Sequence, residues 1–300
     1  MPPCSHRQDA CAAITNVGKM PVRRASILVF CLWVVLVLSI FALGLGNFIY
    51  SRIKFANFYL RSAISFPLAK SAYYDALYQR KNDTSVSFDS QKELLQERNK
   101  LFEGDSGFRY HFEDEGSRIN INTANSSILK ELPGMDEELA KDILASERRP
   151  FKVKEEILLV EGMDKEKFEQ FKDLITVYGD GKVNINTASE GVLKALGLEE
   201  ELVGIIVRYR RESNGPDWEE GTPDDGALVS ASDILSRLRD FESLTLAQEQ
   251  QILSLMSLWT VRSSYFSLPL EIKIKGKWQN GPRVIFALED GKIVSWREGY

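Results

Sequence analysis

From Ala25 to Ser51 the chain carries no charged residue, and most positions are Val, Leu, Ile, Phe or Trp. Crossing a bilayer core as a helix takes about 20 consecutive apolar residues, and this stretch exceeds that. The apolar part of a cleaved secretory signal runs only about 7–15 residues. A core helix of a soluble domain would keep a polar face, and this segment has none. The pattern predicts one membrane-crossing helix near the N-terminus. Flanking charge orients it only modestly, since Arg7, Lys19, Arg23 and Arg24 precede it while Arg52, Lys54 and Arg61 follow.

Beyond the segment the helical pattern continues. Ile53, Phe55, Phe58, Tyr59, Ala63, Ala69, Ala72, Tyr73, Ala76 and Leu77 recur three to four apart and form one apolar stripe. Pro67 interrupts it and is expected to kink the helix, because proline lacks a backbone donor and crowds the preceding turn.

Composition then divides sensibly. The chain is 44% hydrophobic and 27% charged, which is globular, with a net charge of −5. The first 25 residues are net +3 and the apolar helix is neutral, which leaves −8 for everything after Ser51. So acidic a body argues against a protein whose task is gripping a nucleic-acid backbone. Cys4, Cys11 and Cys31 all lie early, so no disulfide framework staples the remainder. Two histidines, His6 and His111, leave little material for zinc or imidazole chemistry, and His111 in a strand-like run reads as packing or surface.

The short basic leader Arg23-Arg24-Ala25-Ser26 running into the apolar helix resembles the prepilin-like class, cut on the cytoplasmic side by a dedicated peptidase. That resemblance places the cut between Ala25 and Ser26. An uncleaved signal anchor is the alternative. Most members carry Glu at the fifth mature position, where it pairs with a neighbour's terminal amine, and an unpaired carboxylate in the bilayer is costly. Here that position is Phe30, so the usual subunit-to-subunit ion pair is lacking; Phe30 and Trp33 are left as membrane-assembly positions.

The middle of the chain holds a duplication. Ile119-Asn120-Ile121-Asn122-Thr123-Ala124 returns 64 positions later as Val183-Asn184-Ile185-Asn186-Thr187-Ala188. Each copy leads into a leucine-bearing helix and a glycine turn. Thr123 and Thr187 stand where helix caps are wanted, and Thr187-Ala188-Ser189-Glu190 reads as a capping box. Gly134 and Gly197 are expected to end the first helices in the left-handed region, and second helices to begin at Asp136 and Glu199. The run from Ile157 to Asp164, with its turn at Gly162, supplies a further hairpin between them. Together these predict helical hairpins packed into one all-α domain.

This pattern resembles the helix-hairpin-helix family, especially the tandem form of competence DNA receptors. In its DNA-binding members the turn reads Gly-x-Gly and backbone N–H groups at the second helix hold a phosphate. In all three hairpins here an acid replaces the second glycine: Asp136, Asp164 and Glu199. A carboxylate there satisfies the helix end itself and repels phosphate. The expectation is structural hairpins, with no nucleic acid bound.

After the helices the texture changes. Leu270-Glu271-Ile272-Lys273-Ile274-Lys275 alternates as a half-buried strand, residues 278–282 read as a turn, and two further apolar runs flank Glu289-Asp290-Gly291, a hairpin signal. Phe108 to Phe112 reads as an earlier strand. Three strands need a helix to lie on, and the continuation of the first helix can supply it. The expected fold class is α+β: a long N-terminal helix packed on an antiparallel β-meander, with an inserted α-helical domain.

That order is similar to the type II secretion protein K family (GspK), the large minor pseudopilins. The residues carrying the resemblance are the Glu-less helix, Asp114 to Ala124, Glu155 to Met163, Lys182 to Ala188 and Ser264-Tyr265-Phe266. It implies a leader over 1–25, a transmembrane part over 26–51, the rest of the helix over 52–84, a first strand region over 85–117, an insert over 118–258 and terminal strands over 259–300. The short run from Ala145 to Phe151 departs from the family's longer Asp-rich segment, so the insert is expected to be trimmed. The resemblance further implies a single-pass inner-membrane protein with its N-terminus cytoplasmic and its body periplasmic. Its partners would be prepilin peptidase, I- and J-type minor pseudopilins, inner-membrane secretion components and secreted cargo. Its place would be the tip of the pseudopilus, with no catalysis.

Of cofactors, none is required. Ca²⁺ is the one ion the loop from Asn214 to Gly226 would suit, through Asp217, Glu219, Glu220, Asp224 and Asp225, because hard oxygen donors are its ligands. The spacing is not that of an EF-hand, and acidic loops are ordinarily just solvated. No phosphate-cradling Gly-rich loop and no Gly-x-Ser-x-Gly motif occurs.

Overall fold

The computed structural model describes residues 22–83, 87–215, 220 and 224–297, with side chains from 27 onward. The chain divides into two units, Met1–Arg61 and Ser62–Tyr300. The first unit contributes the start of α1 (Val22–Lys81), an uninterrupted helix of 60 residues. Among the described residues α1 is the one helix long and apolar enough to cross a membrane. From Ile27 to Leu60 its large apolar side chains are exposed, Phe30 by 68% and Trp33 by 63%. The Ala25–Ser26 bond falls inside the helix bounds, but the side chains there lie outside the described residues.

In the second unit the end of α1 lies on a sheet. After α2 (Gln91–Leu94) come β1 (Arg98–Phe102), β2 (Ser106–Tyr110) and β3 (Glu113–Asp114). A long excursion follows before β8 (Tyr265–Ile274), β9 (Lys277–Ala287) and β10 (Ile293–Arg297) complete the sheet in the order β1-β2-β8-β9-β10, with β3 also on β8. Every pairing in it is antiparallel. Ala69, Ala72 and Ala76 are fully buried, and Tyr73 nearly so. Their i, i+3, i+4, i+7 spacing forms one stripe, and its small side chains let the helix sit close to Phe108, Tyr110, Phe266, Leu268, Ile272 and Phe286. Pro67 lies inside α1, and this stripe secures the turns after it.

The excursion is helical: β4 (Ile119–Asn120), α3 (Ser126–Leu129), α4 (Glu137–Ala145), a 3-10 turn over Lys154–Leu159, α5 (Lys165–Phe171), β5 (Ile175–Thr176), β6 (Val183–Asn184), α6 (Glu190–Ala195), α7 (Glu200–Glu212), α8 (Ile234–Phe241), α9 (Leu246–Leu255) and β7 (Trp259–Thr260). It has its own apolar core, around Leu129, Ile143, Ile157, Phe171, Leu202, Ile206 and Leu238. It is not wholly α: β4 pairs with β5 and β6 with β7, both parallel. The two Asn-x-Asn copies begin as these short strands, with the Ile/Val residue and the first Asn of each copy both buried.

The expected turn over 278–282 is corrected. Those residues lie within β9, and the chain reverses at Lys275 (φ 51°) and Gly276 (φ 78°), between the paired Ile274 and Lys277. Two positive φ values in a two-residue loop suit the twist of an antiparallel pair. Asn280-Gly281-Pro282 imitates a turn signal for another reason. The pairing of β8 with β9 shifts register between Pro269 and Glu271, and a Cβ on Gly281 would meet Ile272 Cδ1 at 2.9 Å. The last pair on β9's other side is Arg297 with Arg283, so Pro282 costs no bond with β10. The second hairpin falls where expected, with Gly291 at φ 64° between β9 and β10.

Candidate functional site

The duplicated motif is where the insert joins the sheet, and its asparagines are the working parts. In the first copy Asn120 accepts from the Asn122 N–H at 2.9 Å and donates to the carbonyls of Tyr178 (3.1 Å) and Gly179 (2.8 Å). Asn122 faces the Phe151 backbone and both accepts from its N–H at 2.7 Å and donates to its carbonyl at 2.9 Å. The second copy repeats this. Asn184 accepts from the Asn186 N–H at 3.0 Å, and Asn186 pairs with the Leu228 backbone through two bonds of 2.9 Å. A side-chain amide matches a peptide donor for acceptor, so the second Asn of each copy pins a distant loop as a strand neighbour would.

Each copy also has an arginine. Arg149 donates to the carbonyls of Asn122 (2.8 Å) and Ala124 (3.0 Å), and Arg210 to those of Ala188 (2.6 Å) and Ile185. Burial pushes the Arg210 guanidinium down to about 10, still charged at neutral pH. Neither arginine was read from the sequence as part of the motif. Both lie more than 20 positions from their partners, and only the doubled Asn-x-Asn hinted at a doubled partner.

Asp114 and Glu115 gather the two copies. Asp114 accepts from the Gly116 N–H at 2.7 Å, from Asn184 Nδ2 at 3.0 Å and from Thr187 Oγ1. Burial pushes its carboxyl above the usual range, partly offset by bonds from Ser263, Thr187, Gly116 and Asn184. Glu115 takes Thr176 Oγ1 at 2.8 Å and Arg118 at 2.7 Å. Asp114 therefore binds the second copy, and Glu115 binds the strand paired with the first. Outside this junction Arg297 grips Glu155 with two bonds, 2.6 and 2.9 Å, joining sheet to insert, and Arg283 meets Glu113 at 2.7 Å, tying β9 to β3 within the sheet. His111 lies half-exposed, its Nε2 3.9 Å from Glu113 Oε1.

The hairpin turns follow expectation in part. Gly134 (φ 74°), Gly162 (φ 79°) and Gly197 (φ 92°) occupy the left-handed region. Asp136 caps α4 by accepting from the Leu139 N–H at 2.8 Å, and Asp164 caps α5 by accepting from Lys167 at 2.8 Å. Glu199 stands at the N-cap of α7 without a side-chain bond to the helix; its own N–H donates to Gln251 instead. The longer glutamate side chain does not curl back onto the first turn as Asp does.

Thr123 and Thr187 are not the helix caps expected of them. Those are Asn125, accepting from Ile128 at 3.0 Å, and Ser189, accepting from Val192 at 3.3 Å. The Asn-x-Asn strand consumes one more turn before each helix starts. Thr123 bonds back to the Asn120 carbonyl at 3.2 Å, while Thr187 is taken by Asp114, so the capping box at 187–190 does not form. A complete capping box instead opens α9, from Thr245 and Gln248.

Of the acidic loop, Asp217 and Glu219 lie outside the described residues, whereas Glu220, Asp224 and Asp225 lie within them. Asp225 meets Lys92 at 3.3 Å. Among the described residues no three His, Cys, Asp or Glu side chains converge as a metal site.

Residues 114–176, which hold the first copy and its hairpins, match the helix-hairpin-helix motif family. The fold is similar to that of a chain in the crystal structure of the GspK–GspI–GspJ complex from the type 2 secretion system of enterotoxigenic Escherichia coli. The TM-score is 0.51 at 15% identity, over 80% of this chain and 99% of that one. The α+β, pilin-like architecture with a helical insert is thus shared almost throughout the neighbour's length. A protein of Xenopus laevis, endonuclease/exonuclease/phosphatase family domain-containing protein 1, is 34% identical over 125 residues, covering 33% of this chain and 22% of that protein. The chain therefore spans less than a quarter of the curated relative it matches.

Proposed function

We propose that this chain is a minor pseudopilin of the K type in a type II protein secretion system. The observation that carries this is the fold shared over 80% of the chain with a member of the GspK–GspI–GspJ complex. Added to it is an exposed apolar helix long enough to anchor the body in a membrane. In this role α1 holds the protein in the inner membrane, N-terminus cytoplasmic, after prepilin peptidase cuts between Ala25 and Ser26. The body stands in the periplasm beside I- and J-type minor pseudopilins at the tip of the pseudopilus, helping to initiate it for export of folded proteins.

Phe30 at the fifth mature position supports a terminal place, since a subunit with none above it needs no carboxylate for a neighbour's amine. Function is then assembly through α1 and the sheet, with no catalytic step and no required cofactor; Ca²⁺ in the acidic loop is an accessory proposal. Intact-mass measurement of the membrane-extracted protein, co-expressed with prepilin peptidase, tests the processing. A chain beginning at Ser26 supports it, and one still beginning at Met1 contradicts it.

The match of residues 114–176 to the helix-hairpin-helix motif favours a second reading, a membrane-anchored DNA receptor of competence type. Against it, Asp136 and Asp164 occupy with their own carboxylates the helix ends a phosphate would need. A low-salt gel shift with duplex DNA separates the two: retardation at micromolar protein supports the receptor, and none supports the pseudopilin.

A further inference from the structure

Arg80, in the last turn of α1, is 6% exposed and serves three carboxylates. It donates to Asp83 Oδ2 at 2.7 Å, to Glu93 Oε1 at 2.6 Å and to Asp89 Oδ1 in a closer contact still. The guanidinium carbon lies 4.8 Å from the Phe266 ring and 5.7 Å from that of Phe112. The segment supplying two of these acids is tied in several directions. Asp89 accepts from the Ser263 N–H at 2.6 Å and donates its own N–H to the Val261 carbonyl at 2.8 Å. Phe88 is buried in the core of the insert, Leu94 in the core between α1 and the sheet, and the Leu94 carbonyl accepts from Phe112 at 3.0 Å. Arg80 is the common point at which helix, sheet and insert are held together.

Arg80 is the cation that bonds all three acids. Facing Glu93 are Arg80 from α1, Asp83 from the turn after it and Arg98 from β1. Arg80 is flanked also by Asp89 and Arg262. Arg98 gives its guanidinium to the carbonyls of Glu93 and Gln96 and Arg262 is exposed, so three acids share one buried guanidinium. Glu93 Oε2 is buried without a hydrogen-bond partner, and a charge held there is expensive.

We propose that Glu93 is a proton-controlled latch. With its proton it keeps residues 87–97 closed over Arg80; without it, a third carboxylate is stranded in the cluster and the segment releases. The neutral carboxyl still accepts from Arg80 and has a hydrogen to offer Asp83. Burial pushes the Glu93 carboxyl up, Arg80 draws it back, Asp83 pushes it up again, and it comes to about 7.

An acid whose pKa is higher closed than open binds more protons when closed. The closed form is therefore fully favoured below the ordinary carboxylate value and loses that advantage as pH rises through 7. Between pH 6 and pH 8 the opening equilibrium should rise about tenfold.

Hydrogen–deuterium exchange of the full chain in detergent micelles tests this, at pH 6 and pH 8 and corrected for intrinsic exchange. The expected result is about a tenfold loss of protection at pH 8 in peptides covering 87–97 and Phe112, with α6 and α7 unchanged. In Glu93→Gln the two pH values should give equal protection. Equal protection in the wild type, or a tenfold change that survives Glu93→Gln, overturns the proposal. Should Glu93→Gln also deprotect α6 and α7, which signals misfolding, Asp83→Asn takes its place. Removing the facing carboxylate should move the transition to lower pH, and an unmoved transition overturns the latch. No partner is involved, so either result leaves the pseudopilin assignment where it stands.

Discussion

Asn184 Nδ2 donates to Asp114 Oδ2 at 3.0 Å, joining the second Asn-x-Asn copy to the strand that precedes the first, across 70 positions of sequence. Through this bond the insert closes on itself at the point where it leaves the sheet. Asp114→Asn keeps the shape but puts an NH₂ where one oxygen accepts from the Gly116 N–H or from Asn184 Nδ2 and Thr187 Oγ1, so donor faces donor. It should destabilise the full chain by about 1–3 kcal/mol in denaturant titration. Because burial raises the Asp114 carboxyl, its contribution is fully present below the ordinary value near 4 and is lost as pH rises through the folded value. The variant should lack that part of the pH dependence.

The paired asparagines should be worth about as much. Asn122→Ala strands the Phe151 peptide and Asn186→Ala the Leu228 peptide, each losing two bonds. A loss of about 2–4 kcal/mol is expected from each in thermal or denaturant unfolding. The Asn186 site is fully buried and should show the larger effect. Equal stability of either alanine variant and the wild type would mean that these loops are held by other contacts.

Gly226 combines φ +67° with a position where a Cβ would meet the Arg210 carbonyl oxygen at 2.0 Å. No side-chain rotation relieves a clash with backbone. Gly226→Ala should cost more than about 3 kcal/mol, against about 1 kcal/mol for Gly197→Ala, which needs only the left-handed conformation and meets no atom within 4 Å. The two unfolding midpoints, measured side by side, check this.

Restoring the glycine of the DNA-binding turns should weaken the fold without creating a DNA site. Asp136→Gly removes the bond to the Leu139 N–H and should cost a few tenths to about 1 kcal/mol. The acidic body should still leave duplex DNA unshifted at low salt. A gel shift gained by this one substitution would show that the carboxylate alone was excluding phosphate.

What was legible in the sequence was what rests on local pattern. The uncharged run to Ser51, the alanine stripe ending at Ala76, the hairpin glycines and the Asp-Gly between β9 and β10 all act within a turn or two, and each lies where its pattern implied. Signals with two physical meanings misled. Asn280-Gly281 serves a register shift rather than a reversal, and Thr187 serves a carboxylate 73 positions away rather than the helix beside it. The Asn-x-Asn repeat was visible, but its job was not. Its partners, Phe151, Leu228, Arg149 and Arg210, are brought to it only by the tertiary fold.

Assembly is the heart of the proposed role, and co-purification reads it directly. The full chain, co-expressed with prepilin peptidase and with the I- and J-type minor pseudopilins of its own system, is extracted in mild detergent and passed over a tag on the J-type subunit. A K-type tip subunit should elute together with both partners and stay with them through size exclusion. Recovery of an I–J pair from which this chain is absent, although it is present and folded in the same extract, would contradict the assignment.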